Sequence, residues 1–102
     1  DSSNLYVRAD FRRNLSKRVL YCVRVRSFGE SDGVETTRFW TATVRPPNQC
    51  LPLGTYFAWK GKALELGIPL SELSPADRVF VSVSASTMRL KIDNSGWRGL
   101  RL

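Results

Sequence analysis

An all-β domain is predicted by three observations on this 102-residue sequence. Apolar residues recur at every second position in five separate segments, the period of a half-buried antiparallel strand. Clusters of Gly, Pro, Asn and Ser break the chain between those segments. Helix signals are confined to isolated single turns.

The first segment is 5–11, where Leu5, Val7, Ala9 and Phe11 alternate with Tyr6, Arg8 and Asp10. In 18–26 the apolar phase is Val19, Tyr21, Val23 and Val25, and the other phase holds Leu20, Cys22, Arg24 and Arg26. Ser27 to Gly33 reads as a polar loop, so 18–26 and 36–45 are expected to form a hairpin. In 38–45 Trp40, Ala42 and Val44 alternate with Phe39, Thr41, Thr43 and Arg45, and Pro46-Pro47-Asn48 ends the strand. Segment 55–64 is a sixth strand, aromatic and less regular. From Leu64 to Asp77 the residues Gly67, Pro69 and Pro75 argue against a long helix. Single turns are expected near Leu70–Leu73 and after Ser74-Pro75, with the leucines of this stretch plugging the end of a barrel. Strands at 78–85 (Val79, Val81, Val83, Ala85 inward) and 88–93 (Met88, Leu90, Ile92 inward) complete the set. Six short strands and one short helical insertion near 64–77 fit a small antiparallel barrel (OB/SH3-like) or a two-sheet sandwich, one domain over 1–102.

The composition, 42% hydrophobic and 25% charged, is that of a globular domain rather than a disordered tail. No apolar run approaches the roughly 20 residues of a membrane helix, so no membrane partner is expected. The absence of histidine removes Ser-His-Asp and Cys-His relays and every His-ligated metal site. Phosphate-loop glycine fingerprints are missing too. No enzyme activity, cofactor or metal is expected. The carboxylates of 30–35 and 65–77 read as solvated loops.

The charge is what carries information. Sixteen Lys and Arg against nine Asp and Glu give a net +7, and twelve of the sixteen are Arg. The excess sits in residues 1–26 and 78–102, while the middle of the chain is slightly acidic. Arg8, Arg24, Arg26, Arg89 and Lys91 fall on the polar phase of their strands, with Arg12 at the rim. If the terminal strands flank 18–26, these cations share one face. Tyr6 and Phe80 lie on the same phase, and Trp59 stands beside Lys60 and Lys62. Guanidinium forks suit phosphates, and exposed rings stack on bases at about 1–3 kcal/mol each. The residues expected to bind nucleic acid are therefore Tyr6, Arg8, Arg12, Arg24, Arg26, Trp59, Lys60, Lys62, Arg89 and Lys91. Arg38 and Arg45 lie an odd number apart and point to opposite faces, so they form no patch.

Cys22 and Cys50 permit one bond, closing a loop of roughly 30 residues and stabilising by about 3 kcal/mol in an oxidising compartment. The alternative is two thiols in an intracellular protein. The run Cys50-Leu-Pro-Leu-Gly-Thr-Tyr56 after a strand, with Leu100-Arg101-Leu102 at the end, looks a little like filamentous-phage single-strand DNA-binding proteins. Those are basic β barrels of this size with a Pro-Gly-x-Tyr turn, and the insertion at 64–77 departs from them. A strand cysteine bonded to a mid-chain loop cysteine is similar to small secreted fungal effectors of the sandwich type. They share fold more than sequence, so no residue role is carried over.

Two functions follow as expectations. The first is a non-enzymatic module holding single-stranded DNA or RNA on a basic, aromatic β surface. The second is a secreted or injected effector with a Cys22–Cys50 bond that binds an acidic host protein, using strand 5–11 or 88–93 to extend a partner's sheet.

Overall fold

A computed structural model describes residues 3–87, 91–94 and 98–101, with strand pairing alone for the last two spans. Two antiparallel sheets pack face to face as a sandwich, without closing into a barrel. The strands are β1 (Asn4–Asp10), β2 (Leu20–Ser31), β3 (Val34–Arg45), β4 (Gln49–Leu51), β5 (Tyr56–Lys60), β6 (Ala63–Pro69), β7 (Arg78–Ser86), β8 (Lys91–Asn94) and β9 (Arg98–Arg101). A four-residue helix, α1 (Leu70–Leu73), follows β6. One sheet has the order β1-β6-β5, the other β4-β3-β2-β7-β8, and β9 pairs with β7 on the side that β8 uses.

The alternation in sequence becomes two faces per strand. Tyr21, Val23 and Val25 of β2, Trp40, Ala42 and Val44 of β3, and Val79, Val81, Val83 and Ala85 of β7 are buried. Leu64, Leu66 and Ile68 of β6 meet them from the other sheet in one core, with Leu5, Val7, Ala9 and Phe57 packed at its margin. A core on this scale is what a chain of this length can build.

Four expectations are corrected. First, 27–33 is no loop: β2 runs to Ser31 and β3 starts at Val34, so only Asp32 and Gly33 turn the chain. Both have positive φ, 53° and 78°, as a two-residue hairpin turn requires. Second, 55–64 is not one strand. Gly61, with φ of 58°, and Lys62 turn β5 into β6, so Leu64 to Ile68 line a central strand rather than plug a barrel. Third, Leu70–Leu73 forms the expected turn, but Ser74 is extended and no helix follows Pro75. Fourth, β4 and β9 are additional strands. Of the expected strand 88–93, Lys91–Asp93 lies in β8 and 88–90 lies outside the described residues.

Backbone contacts fix the ends of the sandwich. Ser27, buried on the inner side of β2, donates its hydroxyl to the Leu73 carbonyl at 3.0 Å and so holds α1 against the large sheet. Two residues on, Gly29 lets the 74–77 segment lie against the strand: a Cβ there would strike the Pro75 carbonyl. The Asp77 amide completes this contact by donating to the Phe28 carbonyl at 2.9 Å.

Candidate functional site

The two sheets expose two outer faces, and the residues expected to form one patch are divided between them. β1 does not neighbour β2. It pairs with β6, which puts Tyr6 and Arg8 on the opposite side of the molecule from Arg24 and Arg26. The expectation of a single face shared by both terminal blocks and β2 is therefore wrong for the N-terminal block. The cause is long-range pairing that the local pattern does not encode.

On the outer face of the large sheet, register sets the side chains in rows. Arg26 of β2 lies between Phe39 of β3 and Phe80 of β7. Its guanidinium carbon stands 5.0 Å from the Phe39 ring centroid, within cation–π range. One row along, Phe28 lies between Thr37 and Arg78. Phe28 meets Phe80 edge-to-face at 5.6 Å, and the Arg78 guanidinium stands 5.7 Å from the Phe28 ring. In the other direction Arg24 lies between Thr41 and Ser82, and it is exposed. Arg45 leaves the same face of β3 as Phe39. Phe39 is 67% exposed, on a stretch of β3 that β4 does not cover. Neither residue opposite Arg24 is an acid. The result is three phenylalanines interleaved with Arg24, Arg26 and Arg78, the last ion-paired with Asp77 at 3.6 Å. Sequence reasoning placed Phe80 here but missed Phe28, Phe39 and Arg78. The β2–β3 and β2–β7 registers supply them, and the odd–even phase of Phe39 was the available signal.

The outer face of the small sheet is different. Tyr6 and Tyr56 stand across Gly67, with ring centroids 5.7 Å apart. Arg8 lies opposite Glu65 and is bound to Asp10, Nη2 to Oδ1 at 3.0 Å and Nε to Oδ1 at 3.2 Å. The Asp10 hydrogen bond and charge push the Arg8 pKa above its ordinary value. Glu65 also accepts from the Tyr56 hydroxyl at 3.4 Å, and its charge raises the Tyr56 pKa. Lys60 shares a row with Asp10 across Ala63. The cations here are matched by carboxylates.

The remaining expected residues fall elsewhere. Trp59 lies on the inner phase of β5 and donates its indole N–H to the Pro47 carbonyl at 2.9 Å, joining the edge of the small sheet to the β3–β4 turn. Lys62 is in the β5–β6 turn, and Arg12 is exposed on the 11–19 connection. Lys91 lies on β8, paired with Ser86, and Arg89 lies outside the described residues.

The Cys22–Cys50 bond is not formed. Cys22 leaves the outer face of β2, whereas Cys50 on β4 is buried in the core, and β3 runs between them. Strands two apart are separated by about 10 Å, beyond the roughly 7 Å that a disulfide spans between Cα atoms. Burial pushes the Cys50 thiol pKa up, so it resists ionisation. Among the described residues no group of three or more His, Cys, Asp or Glu could hold a metal ion, and no helix is long and apolar enough to cross a membrane.

Comparison of the chain with family models, with curated proteins and with solved structures gives no match in any of the three.

Proposed function

We propose that the protein is a non-enzymatic binding module that holds single-stranded nucleic acid on the outer face of its six-stranded sheet. The observation that carries this reading is the Phe39–Arg26–Phe80 row, with the exposed Arg24 beside it on the same face. Rings offer stacking surfaces to unpaired bases, and the arginines between them meet the phosphates that link those bases. The net charge of +7 adds a long-range attraction for polyanions. Tyr6, Arg8, Trp59 and Lys60 have no part in this surface.

The test is a fluorescence-anisotropy titration with labelled single strands of DNA and of RNA, about 12 nucleotides long, over a salt series. Each phosphate contact contributes about −0.7 to the slope of log affinity against log salt. Two to four contacts give a slope between about −1.4 and −2.8. Absence of binding at low salt, or binding indifferent to salt, overturns the reading.

A second reading, strand addition by a protein partner, draws support from the sheet edges. Among the described residues, β4 covers β3 only from Thr43 to Arg45, and no strand covers 34–42 on that side. Val34 and Phe39 are exposed along that edge, and β1 is itself an edge strand. The disulfide that first suggested a secreted effector gives it no support.

A further inference from the structure

A cleft of about 640 Å³ opens at one end of the sandwich, where β1 leaves the small sheet and β2 enters the large one. Its floor is apolar. Phe11 meets Tyr21 edge-to-face at 5.0 Å, with Val19 and Ala85 beside them. Its rim carries Arg12, Arg13 and Asn14, all exposed. Among the described lining residues there is no carboxylate.

The rim is held in place. The Phe11 amide donates to the Lys62 carbonyl and the Leu15 amide to the Gly61 carbonyl, each at 2.8 Å. The Leu15 side chain is buried, and the Ser16 amide donates to the Tyr21 hydroxyl at 3.0 Å. Arg12, Arg13 and Asn14 therefore form a short arch between two fixed points. An arch fixed in advance loses little backbone freedom when a ligand arrives.

The chemistry of the cleft has two parts. Two adjacent guanidinium groups present forked donors, the geometry that phosphate oxygens accept best. An aromatic floor takes a flat, largely uncharged ring system. The volume falls within the range of small-molecule sites, about 300–1,000 Å³.

We propose that this cleft binds a nucleoside monophosphate group, with its phosphate on Arg12 and Arg13 and its base over Phe11 and Tyr21. Such a group has two sources, a free nucleotide or the phosphorylated end of an oligonucleotide. The cleft lies at the start of β2, whereas the Phe39–Arg26–Phe80 row crosses the middle of that strand on its other face. The proposal does not rest on the sheet-face reading.

The test is a ¹⁵N-amide NMR titration at low salt with AMP, adenosine and inorganic phosphate in turn. AMP is expected to shift amides of residues 11–16, 19 and 85, with a Kd of about 1 mM or tighter. Adenosine and phosphate should each bind about tenfold more weakly or worse, since each supplies one half of the contacts. The Arg12→Gln/Arg13→Gln variant should lose about tenfold or more in AMP affinity, and Arg13→Gln alone should lose part of it. Both arginines are exposed, so well-dispersed spectra are expected from either variant. Arg24→Glu/Arg26→Glu should still show the AMP shifts at residues 11–16, 19 and 85, which separates this proposal from the sheet face. A 5′-phosphorylated tetrathymidylate that shifts the same amides, when the 5′-hydroxyl form does not, assigns the cleft to strand ends. AMP binding with neither oligonucleotide active there assigns it to free nucleotide. No shift up to ~10 mM AMP, shifts located elsewhere, phosphate or adenosine matching AMP, or full affinity in the arginine variants overturns the proposal.

Discussion

The two outer faces of the sandwich are made from the same materials. Each places arginine and aromatic side chains on the outward phase of antiparallel strands, and each carries a close aromatic pair. They differ in what stands opposite the cations. On the small sheet, Asp10 and Glu65 lie beside Arg8, and the two tyrosines close over a glycine. On the large sheet, Arg24 and Arg26 face threonine, serine and phenylalanine. Cross-strand register sets Glu65 opposite Arg8 and threonine and serine opposite Arg24.

Charge reversal should separate the faces most widely. Arg24→Glu/Arg26→Glu should lower single-strand affinity about a hundredfold or more at low salt, while the melting temperature moves by only a few degrees. Arg8→Glu should change affinity less than about threefold, because Arg8 is already engaged by Asp10. Equal losses from the two variants, read by anisotropy, would end the distinction. Ring removal comes next. Phe39→Ala should cost about 1–3 kcal/mol of binding, and Tyr6→Ala almost none. Both substitutions are at exposed sites, so circular dichroism should show folded protein.

The third contrast concerns stability, and there the small sheet should be the more sensitive. A Cβ at Gly67 would lie 3.2 Å from Tyr6 Cε1 and 3.3 Å from Tyr56 Cβ. Gly67→Val should destabilise by about 1–3 kcal/mol, lowering the melting temperature several degrees or more without altering salt-dependent binding. The smallest effect is a titration. Tyr56 ionises above the ordinary tyrosine range, chiefly because of the Glu65 charge. In Glu65→Gln the alkaline absorbance transition of Tyr56 should move down in pH. A raised tyrosine pKa means the folded state favours the neutral phenol, so this small preference is present at neutral pH and is lost as pH rises through the folded value. An unmoved transition would show that the Glu65 contact is not held in solution.

Much of this was legible in the residues, and the failures have identifiable causes. The Arg24 and Arg26 face of β2 could be read directly, because Tyr21, Val23 and Val25 bury the other phase. The far end of the β2–β3 hairpin could not, because beyond Ser27 both of its faces are largely solvated and alternation fades. The Asp32-Gly33 pair was the remaining clue. Gly67 and Pro69 looked like breaks, yet Leu64, Leu66 and Ile68 around them keep the strand period. The tyrosine pair explains the glycine. The partner of β1 was not encoded locally at all. Asn4 lies opposite Pro69, and nothing near either residue announces the other. The Phe39–Arg26–Phe80 row required two registers at once, which alternation within single strands cannot supply.

The Asp32-Gly33 turn has a consequence for the order in which the chain assembles. It joins two twelve-residue strands with the shortest connection a hairpin uses, so β2 and β3 can zip from the tip with almost no loop to close. The pairing of β1 with β6, Asp10 opposite Ala63 at its nearer end, must gather most of the chain first. The hairpin is therefore the natural nucleus and the small sheet a late addition. Conservative core substitutions at Val25 or Ala42 should slow folding, with φ-values well above those at Val7 or Leu66. The order reversed, with small-sheet positions giving the higher values, would place nucleation at the long-range closure instead.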